Sequence, residues 1–252
     1  MSVALTFLLT MRQITSDYGT LHVGELEDTF REIISILQQA QMGQSAPITV
    51  GLSGGSTPQA FYKWVVAKKS LPESVWKNCL WLTSDERHVP LSSNDSNFGN
   101  AQREMFTPLG VPAATQLPWP VALAPAACAA EFNRMWNQRF GGQKGFDVCF
   151  LGMGDDGHTA SLFPGCPLIG SGLADNFAAV EWPGRGWRLT ITEAGLAKCK
   201  RVVIITNGAG KAAALKAILR GPFDPKNHPS QIHRAYAARV TWLVDEAAAA
   251  QL

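Results

Sequence analysis

Short apolar runs alternate along the chain with stretches of helical spacing. In residues 25–41, Phe30, Ile33, Ile34 and Leu37 fall on one helical stripe and Gly43 follows, which predicts a helix. Residues 48–52, 80–83, 146–151, 201–206 and 240–244 are apolar runs too short for core helices, so they predict buried strands. Residues 178–182 and 187–191 predict two more strands around the turn signal Pro183-Gly184. Residues 1–9 are apolar but lack a basic leader region and a cleavage signal, and read as an opening strand. Further helices are predicted from Pro58 through Val66 with Thr57 as the cap, after Gly99 to Phe106, over 126–140, 193–198 and 211–219, and onward from Asp245. Residues 91–99 form a polar loop, and 107–125, with five prolines, a surface connection.

Strands apolar on both faces and separated by helices imply an α/β fold, a three-layer α/β/α sandwich with a mainly parallel sheet and a few additional strands. No repeat or linker divides the chain, so one domain over residues 1–252 is expected. The polar and glycine-rich turns fall at the C-terminal ends of strands, where open α/β sheets collect ligands.

Composition narrows the choices. The 252 residues are 46% hydrophobic and 17% charged, enough to bury about 70% of the unfolded surface in a core without disulfides. Lys and Arg number 22 against 20 Asp and Glu, a formal net charge of +2 without a basic stripe. No nucleic-acid partner is therefore indicated, and a small phosphorylated molecule needs only one or two local cations. Cys79, Cys128, Cys149, Cys166 and Cys199 are widely spaced with no C-x-x-C pair, which predicts buried thiols, no bound metal and a reducing compartment. No run reaches 18 apolar residues, so no membrane-spanning helix is expected.

Four turns carry candidate chemistry. Ser53-Gly54-Gly55-Ser56-Thr57 between a strand and a helix offers amides, hydroxyls and a helix dipole to an anion; the alternative is an ordinary strand-to-helix turn. Gly152-Met153-Gly154-Asp155-Asp156-Gly157 satisfies G-x-G-x-x-G. A dinucleotide reading fails on two carboxylates where a pyrophosphate would sit and on Pro164-Gly165, which leaves little helix. His158 follows that turn and is a candidate proton carrier, or a merely structural histidine. Gly208-Ala209-Gly210-Lys211 lacks the first glycine and the hydroxyl of a P-loop, leaving Lys211 at a helix start as an anion ligand or a solvated lysine. In Asp85-Glu86-Arg87-His88, Arg87 can clamp an anion and Asp85 can orient a base or a sugar hydroxyl, or the run is a surface ion-pair cluster. No G-x-S-x-G elbow and no H-E-x-x-H motif occur.

Taken in order, Gly51-Leu52-Ser53-Gly54-Gly55-Ser56-Thr57-Pro58, residues 83–90 with Ser96-Asn97-Phe98-Gly99, residues 152–165, Gly208 to Lys211 and the closing residues 242–248 resemble the 6-phosphogluconolactonase family, within a larger group that includes glucosamine-6-phosphate deaminases. Deaminases tend to follow the histidine with a Phe-Asn-Glu-Pro type segment. Here Ser161-Leu162-Phe163-Pro164-Gly165 stands in its place, as in the lactonases. His228-Pro229-Ser230-Gln231 departs from the more usual apolar-Pro-Ala-Ser.

The resemblance implies a Rossmann-like sheet of the NagB/RpiA/CoA-transferase type. It implies hydrolysis of 6-phospho-D-glucono-1,5-lactone to 6-phosphogluconate in the pentose phosphate pathway, with no metal or organic cofactor. A cytoplasmic monomer or homodimer without membrane or nucleic-acid partners is expected. Ser53, Gly54, Gly55, Ser56 and Thr57 would bind phosphate with Lys211 and Arg87. His158 would be the catalytic histidine and Asp85 an active-site acid, while amides of the turn bearing Gly152, Gly154 and Gly157 would face the oxyanion. The alternatives are a deaminase or isomerase of sugar phosphates, and a sugar-phosphate-binding protein without turnover.

Overall fold

The structure is a computed structural model that describes residues 11–252; the strand expected over residues 1–9 lies outside them. In chain order the elements used below are β1 (Arg12–Ser16), β2 (Gly19–Gly24), α1 (Leu26–Gln41), β3 (Ile48–Leu52), α2 (Ser56–Lys68), β4 (Cys79–Thr83), β5 (Asp85–Arg87), α3 (Asn97–Ala101), α4 (Pro125–Phe140), β6 (Val148–Gly152), β7 (Phe177–Trp182), β8 (Gly186–Ile191), β9 (Val202–Thr206), α5 (Ala212–Arg220) and β10 (Val240–Asp245).

The main sheet has seven strands in the order β1-β2-β10-β9-β6-β3-β4. All neighbours run parallel except the edge pair β1–β2. Strand periodicity sends alternate side chains to opposite faces. On β6, Val148 and Phe150 join the apolar layer under α1 and α2, with Ile33, Leu37, Phe61 and Val65. Cys149 and Leu151 face the other way, toward Phe132 and Trp136 of α4 and Leu215 and Ile218 of α5. β9 divides in the same manner, with Val203 and Ile205 on one face and Val202 and Ile204 on the other. Two cores on one sheet make the three expected layers. All five cysteines are buried and unpaired. Among the described residues no helix is long and apolar enough to cross a membrane.

A second, antiparallel sheet of order β5-β8-β7 sits beyond the C-terminal edge of the first. Ser84 creates it. Its amide and Oγ both donate to Leu52 O, at 2.8 and 3.0 Å, and Oγ also lies 3.0 Å from Phe150 O. That knot ends pairing with β3 and sends Asp85–Arg87 off to pair with β8.

Several expected boundaries are corrected. The hairpin β1–β2 was not anticipated, because its edge strand is polar and largely exposed. The helix expected after Gly99 begins at Asn97, because Ser96 caps it by accepting from the Gly99 amide at 2.9 Å, and it passes into a wider π-helical turn over Gln102–Phe106. No helix follows Asp245; the chain ends in turns. The late segment Pro229–Arg239 is a 3₁₀ stretch with a kink at Tyr236.

That stretch buries His233 completely, with Nδ1 2.8 Å from Tyr236 Oη and Nε2 3.3 Å from Thr159 Oγ1. Burial pushes its pKa down to about 3. The folded state therefore refuses a proton that the unfolded chain takes up near pH 6.5, and stability falls as pH drops from there toward 3, by up to about 1.4 kcal/mol per pH unit. Denaturant unfolding at a series of pH values should show a shallower acid slope for His233→Gln than for the wild type. Parallel slopes would contradict the assignment.

Candidate active site

The turns that carry chemistry converge on one cleft of about 210 Å³ at the C-terminal ends of β3, β6 and β9. Ser53, Gly54, Gly55, Ser56, Thr57, Asp85, Arg87, Gly152, Gly154, His158 and Lys211 all line it; Gly157 does not.

On the β3 side the two glycines are needed for different reasons. Gly55 is the N-cap of α2 with φ of +102°, a conformation that disfavours side chains. At Gly54 a Cβ would lie 1.8 Å from Asn97 Oδ1, so the packing of Asn97 forbids one. The helix thus starts at Ser56, one residue ahead of the expected cap Thr57, and Pro58 still falls within the first turn. No side chain caps this helix. Its first-turn amides and the positive end of its dipole face the cleft without an internal acceptor. Tyr62 of α2 reaches back to donate to Ser53 O at 3.0 Å and fixes the turn.

The β6 side holds the imidazole. His158 Nδ1 lies 2.6 Å from Asp156 Oδ1, which also accepts from the His158 amide at 3.0 Å. A carboxylate only accepts, so Nδ1 carries the proton and Nε2 keeps a free lone pair. This hydrogen bond is the main reason that the Asp156 carboxyl is held down to about 2. A Cβ at Gly154 would sit 2.0 Å from His158 Nδ1, so that glycine makes room for the ring. Trp182 stands edge-on to the imidazole with centroids 5.0 Å apart, and is itself stacked on Phe163. The His158 side chain remains 27% exposed.

This geometry removes two of the three expected oxyanion donors, Gly154 and Gly157, while Gly152 lines the cleft. The Gly154 amide donates to His158 O at 2.9 Å and the Gly157 amide to Gly154 O at 3.0 Å, so both are spent inside the turn. Gly157 serves the back of the turn instead. Its φ is +81°, and its carbonyl accepts from the Ser230 amide and Oγ at 3.0 and 2.9 Å. The segment from His228 to Gln231 thereby buttresses the His158 turn from behind.

Asp85 is buried and accepts from Ser161 Oγ at 2.8 Å. Burial raises its pKa, opposed first by the Ser161 hydroxyl and then by Arg87 and His158. The link ties β5 to the loop after His158, where Ala160 holds φ of +48° at a cost of about 1 kcal/mol. Arg87 spends Nη1 on Asp95 O at 2.7 Å. Lys211 ends a 3₁₀ turn, and its Nζ pairs with Asp155 Oδ1 at 2.5 Å. Behind it the Asp245 carboxylate accepts from the Gly208 amide, joining the end of β10 to this turn.

Sequence reasoning missed three contributors. Asp156 was legible only as a carboxylate two positions before a histidine across a glycine. Glu86 looked like part of a charged run but is fully buried; it accepts from the amides of Arg87, Asn97 and Phe98 and from Ser96 Oγ, and burial pushes its pKa up to about 7. It fastens the start of α3, and so Asn97, against the cleft. Asn207, beyond β9, lines the cleft with no local motif to mark it. Among the described residues no group of three or more His, Cys, Asp or Glu is placed to hold a metal ion.

Comparison with known proteins identifies the family and the fold. The family model for glucosamine-6-phosphate isomerases/6-phosphogluconolactonase matches residues 24–242. A 6-phosphogluconolactonase from Synechocystis sp. is 33% identical over 218 residues, covering 84% of this chain and 87% of its own. One from Haemophilus influenzae is 32% identical over 205 residues, covering 80% and 86%. The solved 6-phosphogluconolactonase from Trypanosoma cruzi shares the fold, with a TM-score of 0.79 at 23% identity, covering 94% of this chain and 98% of that one.

The tautomer is open to direct measurement. Nitrogen-15 NMR of the histidine side chains above pH 8 should find His158 in the Nδ1–H form in the wild type. Asp156→Asn should shift it toward Nε2–H. An unchanged ratio would show that Asp156 does not set the tautomer.

Proposed function

The chain belongs to the glucosamine-6-phosphate isomerase/6-phosphogluconolactonase family, and from that premise we propose that it hydrolyses 6-phospho-D-glucono-1,5-lactone to 6-phosphogluconate in the pentose phosphate pathway. The observation that carries this reading is the shared cleft of an uncapped, glycine-cradled helix start, a lysine and a histidine with a carboxylate on Nδ1.

The substrate phosphate rests on the first-turn amides and hydroxyls of Ser53 to Thr57, with Lys211 turning from Asp155 to the stronger dianion. Anchored at C6, the lactone presents C1 to His158. Nε2 takes a proton from a water molecule while the water oxygen bonds to C1. Asp156 stabilises the imidazolium that forms, without taking its proton. The tetrahedral intermediate collapses by breaking the bond from C1 to the ring oxygen. The imidazolium returns its proton to that oxygen, which becomes the C5 hydroxyl, and the new carboxylic acid ionises in solution. The lactone carbonyl is electrophilic enough for water, so no covalent intermediate is invoked. Arg87 has guanidinium N–H groups beyond the one on Asp95 and is assigned the oxyanion in place of the Gly154 and Gly157 amides. Asp85, which grips Ser161, positions the loop after His158 and is not the proton carrier. The same reading places the reaction in the cytoplasm, in one domain, and with no cofactor.

Hydrolysis is measured above the spontaneous rate. His158→Asn should lower kcat about 10²- to 10⁴-fold with little change in KM. Wild-type turnover in that variant would remove the base. Lys211→Ala should cut kcat/KM for the phosphorylated lactone about 10- to 100-fold and leave unphosphorylated gluconolactone nearly unaffected; equal losses would take Lys211 out of the phosphate site. Ammonia release from glucosamine 6-phosphate, without lactone hydrolysis, would overturn the reading in favour of a deaminase.

A further inference from the structure

The cleft holds polar atoms that neither phosphate binding nor proton transfer uses. Asn97 is 2% exposed; its Nδ2 donates to Asp85 O at 2.9 Å, yet its Oδ1 is buried with no hydrogen-bond partner among the described residues. Asn207 is the stronger case. It stands between β9 and the turn that carries Lys211, and both its Nδ2 and its Oδ1 are buried without a partner among the described residues. Exchanging the amide oxygen and nitrogen changes nothing, since both positions are unpaired. A buried amide that bonds to nothing costs its full desolvation, and such groups in native proteins are few and call for a reason. Among the described residues Asn207 makes no side-chain hydrogen bond that would give it a structural one.

The donor and acceptor inventory says what would pair with it. A phosphate dianion offers acceptors alone, and so does a carboxylate. Neither satisfies the amide oxygen of Asn207 or of Asn97, and each would be repelled by it. A hydroxyl donates and accepts at once, so one hydroxyl answers either end of the Asn207 amide and two answer both. Asn97 packs against Gly54 of the phosphate turn, and Asn207 precedes the lysine. Both line the same cleft as His158, beside the residues assigned to the phosphate, within reach of a sugar chain held there.

Resting on the lactonase reading, we infer that Asn207, assisted by Asn97, binds the ring hydroxyls of the substrate and makes the cleft selective for polyhydroxylated phosphates over phosphate monoesters in general. Asn207 is a specificity-determining residue that acts on substrate and takes no part in proton transfer.

Calorimetric titration of wild type, Asn207→Ala and Asn207→Leu with 6-phosphogluconate and with inorganic phosphate tests this, alongside lactone turnover and thermal melts. Asn207→Ala and Asn207→Leu should each weaken 6-phosphogluconate binding about tenfold or more and leave inorganic phosphate binding unchanged. Their kcat/KM for the lactone should fall by a similar factor. The melting temperature should hold or rise, because an unpaired amide has been removed. Of the 2-deoxy, 3-deoxy and 4-deoxy 6-phosphogluconates, at least one should bind wild type about tenfold more weakly and lose nothing further in the variants. Unchanged 6-phosphogluconate affinity in both variants, or equal losses for it and for phosphate, would overturn the inference and leave the lactonase reading standing. Asn207-dependent binding of 6-phosphogluconate by a wild type that hydrolyses no lactone would do the reverse. A wild type that binds no 6-phosphogluconate would overturn both.

Discussion

The contact between Asp156 and His158 is the constraint on which the rest of the site depends. A carboxylate accepts hydrogen bonds and cannot donate them, so a 2.6 Å approach to Nδ1 decides which imidazole nitrogen remains free. Both residues lie on one short turn, and the turn is built around their meeting. Gly154 has no side chain because the ring occupies that space, and Gly157 turns the backbone through a positive φ so that Asp156 and His158 face each other. The turn spends the Gly154 and Gly157 amides on holding this shape. The rigidity that aims the histidine thus removes those amides from any role with substrate.

Remote parts of the chain serve the same geometry. Ser84 knots the ends of β3, β4 and β6 together and throws Asp85 across the cleft toward Ser161. Ser230 supports Gly157 from behind, and His233 lies against Thr159. Asp245, at the end of the last strand, secures the turn that ends in Lys211. Ser84 and Asp245 act where strands end, where the sheet ladder no longer pairs the backbone and another partner must be found, while Ser230 and His233 act from the 3₁₀ stretch. The parallel sheet lines up the strand ends, and these side chains convert that alignment into a fixed constellation.

The buried parallel strands were legible in the sequence because burial on both faces demands unbroken apolar runs, as in Val202–Thr206. The edge hairpin β1–β2 was not, because an exposed edge strand carries no such run. The start of α3 was misplaced because its determinant, Ser96 acting with Glu86, joins residues that local pattern does not connect. In the site, turns with glycines and charges at strand ends announced themselves, and Ser53 to Thr57, His158 and Lys211 do share a cleft. What sequence could not convey was where hydrogen bonds go. It could not show that the Gly154 and Gly157 amides are engaged, that Asp156 is the carboxylate hydrogen-bonded to the imidazole, or that the Asn207 amide has no hydrogen-bond partner among the described residues. Those facts depend on distances between side chains and backbone atoms that no spacing rule encodes.

The account stands on one orientation of one ligand, with phosphate at the start of α2 and the reacting carbon at His158. A crystal structure with 6-phosphogluconate bound measures that orientation directly. The account predicts phosphate oxygens on the amides of the Ser53 to Thr57 turn and on Lys211, with the C1 carboxylate within about 3 Å of His158 Nε2. A ligand bound the other way round, its carboxylate on the helix start and its phosphate against the imidazole, would contradict it.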